Sequence, residues 1–110
     1  MAATVWINGA LRSVEEVGIS PFDHGITVGN GVFETLLACS GKPFAFTRHY
    51  RRLQRSAAAM GLSVRSQEEL WAASLEVLEA NELAGGRARL RIPVTGGPAP
   101  LGSERGEAGE

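Results

Sequence analysis

The sequence predicts an α+β domain: a small antiparallel or mixed β-sheet, built as a β-meander and packed by two helices. Three patterns point there. Short runs of alternating polarity are punctuated by turn-forming pairs such as Asn8-Gly9 and Gly41-Lys42-Pro43. Two longer stretches, 48–60 and the one that begins at Ser66, carry apolar residues at helical spacing behind plausible caps. A last stretch, 87–94, alternates strictly between arginine and apolar residues, as a half-covered strand does.

Taken in order, Thr4-Val5-Trp6-Ile7 reads as a strand, Asn8-Gly9 as a type I′ turn, and 10–14 as the returning partner. Residues 20–35 reverse direction repeatedly, at Ser20-Pro21, Asp23-His24-Gly25 and Gly29-Asn30-Gly31. A strand over 32–38 follows, with Phe33, Thr35 and Leu37 on one face. Gly41-Lys42-Pro43 then connects to a short strand at Phe44-Ala45-Phe46.

Thr47 is a candidate N-cap for a helix over 48–60, and Gly61 its C′ residue. Tyr50, Leu53, Ala57 and Met60 form its core stripe, Arg48, Arg51 and Arg55 its outer face, and His49 and Arg52 the border. Ser66 starts the second helix, with Glu69 placed to complete a capping box. Leu70, Trp71, Ser74, Leu75, Val77 and Leu78 give that helix a wide inner face, and Asn81 and Gly85-Gly86 end it. In the final strand Ala88, Leu90 and Ile92 face one way and Arg87, Arg89 and Arg91 the other. Domain boundaries follow: 1–94 as one small domain, and 95–110 as a Gly/Pro-rich connector or cut end.

Composition removes several function classes. A chain of 110 residues suits one domain, and a net charge of −1 supplies no field for nucleic acid or an anionic membrane. Cys39 stands alone, so no internal disulfide forms, which fits a reducing, cytoplasmic setting. No signal-peptide pattern or membrane-length apolar run is present. His24, Cys39 and His49 lack metal-ligand spacing, and Gly29-x-Gly31 is too short for a dinucleotide fingerprint. Asp23 and His24, adjacent on a tight turn, are poorly placed to act as a catalytic pair, so Asp23 reads as a turn stabiliser.

The ordered motifs D-H-G-x-T-x-G-x-G-V-F-E-T, G-x-P-F and H-x-x-R-L resemble the class IV aminotransferases, the fold-type IV pyridoxal-phosphate enzymes. The likeness runs from W-I-N-G at 6–9 to T-G-G-P-A-P-L-G-S at 95–103. It implies the N-terminal small domain of a two-domain, homodimeric enzyme that binds pyridoxal 5′-phosphate between its domains.

By that resemblance Arg52, the arginine of H-x-x-R-L, contacts the cofactor phosphate, as a planar permanent cation can. Read without it, Arg52 is one more solvated arginine. Phe33, Thr35 and Leu37 share the strand face that would run along the substrate pocket, with Phe33 and Thr35 taken as substrate contacts. Plain core packing is the alternative for this face, and for Leu37 it explains an apolar strand residue equally well. Arg91 would take a substrate carboxylate, while Arg87 and Arg89 fit a row that protects a sheet edge.

The family's catalytic lysine has no counterpart at Lys42, the sequence's one lysine, which sits in a hairpin turn. The resemblance places that lysine in a larger domain beyond residue 110. These residues therefore contain no catalytic residue of their own and are expected to be inactive alone. The implied reaction is that of 4-amino-4-deoxychorismate lyase, which releases pyruvate and leaves 4-aminobenzoate. Leu101 stands where D-amino acid aminotransferases and many lyases carry an arginine, which keeps a branched-chain or other α-amino acid aminotransferase in view. A reading of another class is a non-catalytic module that offers its arginines to an acidic partner, with no cofactor and strong salt dependence.

Overall fold

The computed structural model describes residues 3–16 and 18–98. Two antiparallel sheets and two full-length helices make up the expected α+β domain. Strands β1 (Thr4–Ile7) and β2 (Ala10–Ser13) form a separate hairpin. Its loop residues Asn8 and Gly9 both take positive φ, 45° and 99°, as a type I′ turn requires.

A one-turn helix, α1 (His24–Thr27), precedes β3 (Gly31–Cys39). Strand β4 (Lys42–Pro43) turns back along the end of β3, and β5 (Arg87–Thr95) pairs with β3 over its whole length, from Gly31↔Thr95 to Cys39↔Arg87. The sheet order is β4-β3-β5, so β5 arrives beside β3 only after both long helices have been laid down.

Those helices are α2 (Phe46–Ala59) and α3 (Gln67–Ala80). Leu36 on β3, Leu53 and Ala57 on α2, Leu70 on α3, and Leu90 and Val94 on β5 meet in one core. The C-terminus of α2 closes as expected: Gly61 has φ 68°, its N–H donates to Ala58 O, and the Leu62 N–H donates to Ala57 O. At the start of α3 the Ser66 hydroxyl accepts the Glu69 N–H at 3.1 Å, while the Glu69 carboxylate takes Arg65 Nη1 at 2.7 Å. Among the described residues, no helix is long and apolar enough to cross a membrane.

Three local expectations are corrected. The hairpin turn is Ser40-Gly41, with φ 51° and 81°, so Lys42 and Pro43 are already strand; proline is accepted because β4 is an edge. Phe44-Ala45-Phe46 is not a strand. Ala45 is left-handed at φ 53°, and Phe46 opens α2 with its ring buried edge-on against Trp71 at 5.2 Å. Thr47 consequently lies inside the helix, and its hydroxyl accepts from Gln67 Nε2, joining α2 to α3 rather than capping. Tertiary capture of Phe46 overrides the local cap signal.

The start of the expected connector is packed. Thr95 Oγ1 donates to Asp23 Oδ2, the His24 N–H donates to Gly97 O, and Pro98 bridges Asp23. Residues 99–110, Leu101 among them, lie outside the described part.

Candidate functional site: the open face of the sheet

Register decides which side chains share this face. Strand β3 turns Glu34, Leu36 and Ala38 toward the helices and leaves Phe33, Thr35, Leu37 and Cys39 outward. In β5 the arginines and Pro93 face outward, while Leu90 and Val94 are buried beneath. Pairing sets Phe33 opposite Pro93, Thr35 opposite Arg91, and Leu37 opposite Arg89. Phe33 is 53% exposed and Leu37 41%, so core packing does not account for this face among the described residues.

The three residues expected to contact substrate, Phe33, Thr35 and Arg91, are therefore neighbours on one uncovered surface. Arg91 lies diagonally across from Phe33, its Cζ 4.0 Å from the ring centroid. A cation held over a ring face spends none of its N–H donors on an acceptor there, so two of them can still grip a carboxylate.

Arg52 belongs to the helix-covered side of β3. Its Nε donates to Glu34 Oε2 at 2.9 Å and its Nη2 to Glu34 Oε1 at 2.8 Å. His49 Nδ1 reaches the same Oε1 at 2.7 Å. Glu34 is 7% exposed while the Arg52 side chain is 58% exposed, so a buried carboxylate carries an outward-facing cation. The Arg52 hydrogen bonds are the main force holding the Glu34 carboxyl below its usual range, burial opposes them, and His49 assists. The same pair pushes Arg52 further above its ordinary value. The fork leaves Nη1 and one hydrogen of Nη2 directed away from Glu34, a donor arrangement that fits a phosphate or another oxyanion.

Asp23 is the N-cap of α1, its Oδ1 accepting the Gly25 N–H at 2.7 Å, which matches a turn-stabilising role. His24 beside it is fully buried. Lys42 is exposed on the short strand β4.

Glu34 was not legible as a site residue. The available signal was an acidic side chain on the same strand face as Leu36 and Ala38, opposite a helix with His49 and Arg52 three residues apart. That spacing puts both on one helix face.

The family model described as Amino-transferase class IV matches residues 31–109. The chain is 31% identical over 99 residues to an aminodeoxychorismate lyase of Bacillus subtilis (strain 168), covering 89% of this chain and 34% of that protein. A D-alanine aminotransferase of Staphylococcus aureus (strain N315) is 35% identical over 83 residues, or 74% of this chain and 29% of that one. Among solved structures, a branched-chain amino acid aminotransferase (T.th.) complexed with N-(5′-phosphopyridoxyl)-L-glutamate superposes with a TM-score of 0.81 at 29% identity, covering 93% of this chain and 35% of that one. The chain thus spans about a third of the length of the relatives it matches. With a family match over most of its length and the fold of the solved members, the chain belongs to the class IV aminotransferase family.

Proposed function

We propose that these residues form the small N-terminal domain of a pyridoxal-phosphate enzyme acting on a small amino-group substrate that carries a carboxylate. The observation that carries this reading is the registered grouping of Phe33, Thr35 and Arg91 on an uncovered sheet face. Arg91 binds and orients the carboxylate, Phe33 supplies a wall, and Thr35, directly opposite Arg91, offers a hydroxyl. Arg52 holds the cofactor phosphate, for which its exposed, fork-anchored guanidinium is suited. When bound, pyridoxal phosphate supplies an electron sink beside the substrate's amino-bearing carbon.

The reaction we favour is lyase-like: release of pyruvate from 4-amino-4-deoxychorismate, leaving 4-aminobenzoate. Likeness to the Bacillus subtilis lyase over most of the chain supports it. Branched-chain transamination is the second reading, supported by the fold of the branched-chain enzyme compared above and by Leu101 standing where an arginine would serve a lyase. In both readings the lysine that carries the cofactor and moves the substrate proton lies outside these residues. The whole enzyme works as a cytoplasmic homodimer in this reading. Exposed Ile19, Phe22, Ile26 and Val28 supply apolar surface for a partner domain or subunit.

The test is made on the full-length protein with pyridoxal phosphate. It is offered 4-amino-4-deoxychorismate, with pyruvate and 4-aminobenzoate measured, and separately L-leucine with 2-oxoglutarate, with the new oxo acid measured. Equal yields of pyruvate and 4-aminobenzoate support the lyase, and oxo acid alone supports the transaminase. No cofactor binding together with salt-sensitive capture of an acidic protein would replace both readings by the interaction module. A pyridoxyl adduct on Lys42 after borohydride would overturn the placement of the lysine.

A further inference from the structure

We propose that Glu34 is a positioning residue: its buried carboxylate holds the Arg52 guanidinium in a fixed orientation toward an oxyanion, and His49 holds the carboxylate in turn. The proposal rests on the reading of Arg52 as the phosphate contact.

Three hydrogen bonds converge on one carboxylate. Arg52 supplies two, from Nε and Nη2, and His49 supplies the third from Nδ1. An ionised carboxylate only accepts, so the His49 hydrogen resides on Nδ1. His49 and Arg52 are three residues apart on α2, which lets both reach the same group on β3. The spacing of H-x-x-R thus has a physical reason: the histidine and the arginine grip a shared anchor.

A tie between helix and sheet does not by itself call for this arrangement. Leu36 and Ala38 continue the same strand face and pack against the helices without charge. A well-packed apolar residue at position 34 would serve cohesion as well, because a buried ion pair rarely outperforms hydrophobic packing. A carboxylate does what leucine cannot. It fixes the plane of a guanidinium whose far side stays in solvent, 58% exposed. An unheld arginine gives up rotamer freedom when it binds, and Glu34 removes most of that loss beforehand.

The sign of one effect separates positioning from simple charge. Glu34→Gln deletes a negative charge beside Arg52, so electrostatics alone predicts tighter oxyanion binding. Loss of the fork predicts weaker binding. The full-length protein is titrated with pyridoxal 5′-phosphate and with pyridoxal, and the ratio of the two dissociation constants isolates the phosphate. We expect Glu34→Gln to lower the preference for the phosphorylated form by about tenfold. His49→Gln, which keeps the fork, is expected to lower it less. An unchanged or increased preference in Glu34→Gln, with Arg52→Ala abolishing it, overturns the positioning role alone. An undiminished preference in Arg52→Ala overturns the phosphate reading beneath it.

A second readout needs neither cofactor nor variant. The Arg52 Nε–H is expected to give a sharp, slowly exchanging NMR signal that broadens when acid protonates Glu34. A signal already exchanging freely at neutral pH overturns the proposal even if Glu34→Gln does not fold. A merely structural ion pair would lower the melting temperature of the variants and leave the binding ratio unmoved.

Discussion

Gly25→Ala tests how the segment before β3 is locked, and the structure sets its magnitude. A methyl group on Gly25 would stand 2.6 Å from Thr95 Cγ2, 3.0 Å from Asp23 Oδ1 and 3.1 Å from Thr95 Cβ. Thr95 cannot swing aside freely, because its hydroxyl donates to Asp23 Oδ2 at 3.1 Å and accepts the Gly97 N–H at 3.2 Å. Alanine's better helix propensity returns at most about 1 kcal/mol in so short a helix. Overpacking costs about 1–3 kcal/mol, and breaking either Thr95 hydrogen bond adds about 1 kcal/mol. A net destabilisation of about 2 kcal/mol follows, or a melting temperature lower by roughly 10 °C for a domain of this size. Thr95→Ser removes Cγ2 and keeps the hydroxyl. The assay is urea unfolding followed by circular dichroism for Gly25→Ala, Thr95→Ser and the pair. The pair is expected to be about 1 kcal/mol more stable than the sum of the single changes predicts. Strict additivity, or a Gly25→Ala protein as stable as the parent, would refute the steric lock.

Leu53 is 1% exposed at the centre of the core, so Leu53→Ala should cost about 2–5 kcal/mol, read from the urea midpoint. Asn81 joins α3 to β1 by accepting the Thr4 N–H and donating to Thr4 O and Val77 O, so Asn81→Ala should cost about 2 kcal/mol. Hydrogen exchange should show the Thr4 amide losing protection far more than those of β3. Acid stability should respond to Glu34, whose folded carboxyl titrates below its usual 4.5. The unfolded chain then binds more protons in that window, so the contribution is complete above pH 4.5 and is lost as pH falls through the folded value. Glu34→Gln should flatten this limb of the stability curve, and an unchanged acid limb would count against the ion pair.

Local grammar was readable where neighbouring residues suffice. Asn8-Gly9 carries the positive φ that its turn needs, Ser66 places its hydroxyl over the Glu69 N–H, and Gly61 ends α2. The alternation of β5 named Arg91 as outward-facing without any knowledge of its partner strand. Reading failed where a distant group decided the matter. Thr47 looked like a cap until Phe46 was drawn into the core against Trp71, which starts the helix earlier. Glu34 looked like an ordinary polar position in an alternating strand, because its two partners lie 15 and 18 residues away on a different element.

From the sequence by itself came the family resemblance, the α+β class, the turns and caps, and the period-two faces of β3 and β5. The turns, caps and strand faces depend on residues within a few positions of one another, and the resemblance on the order of such short motifs along the chain. Only the tertiary structure decided that Phe33, Thr35 and Arg91 share a surface, because that follows from an antiparallel register that sets Thr35 opposite Arg91, 56 positions away in the chain. It alone decided that Arg52 is anchored rather than merely solvated. The bonds of that anchor are strengthened because packing has removed the carboxylate from water, and burial belongs to the assembled fold rather than to any one stretch of chain.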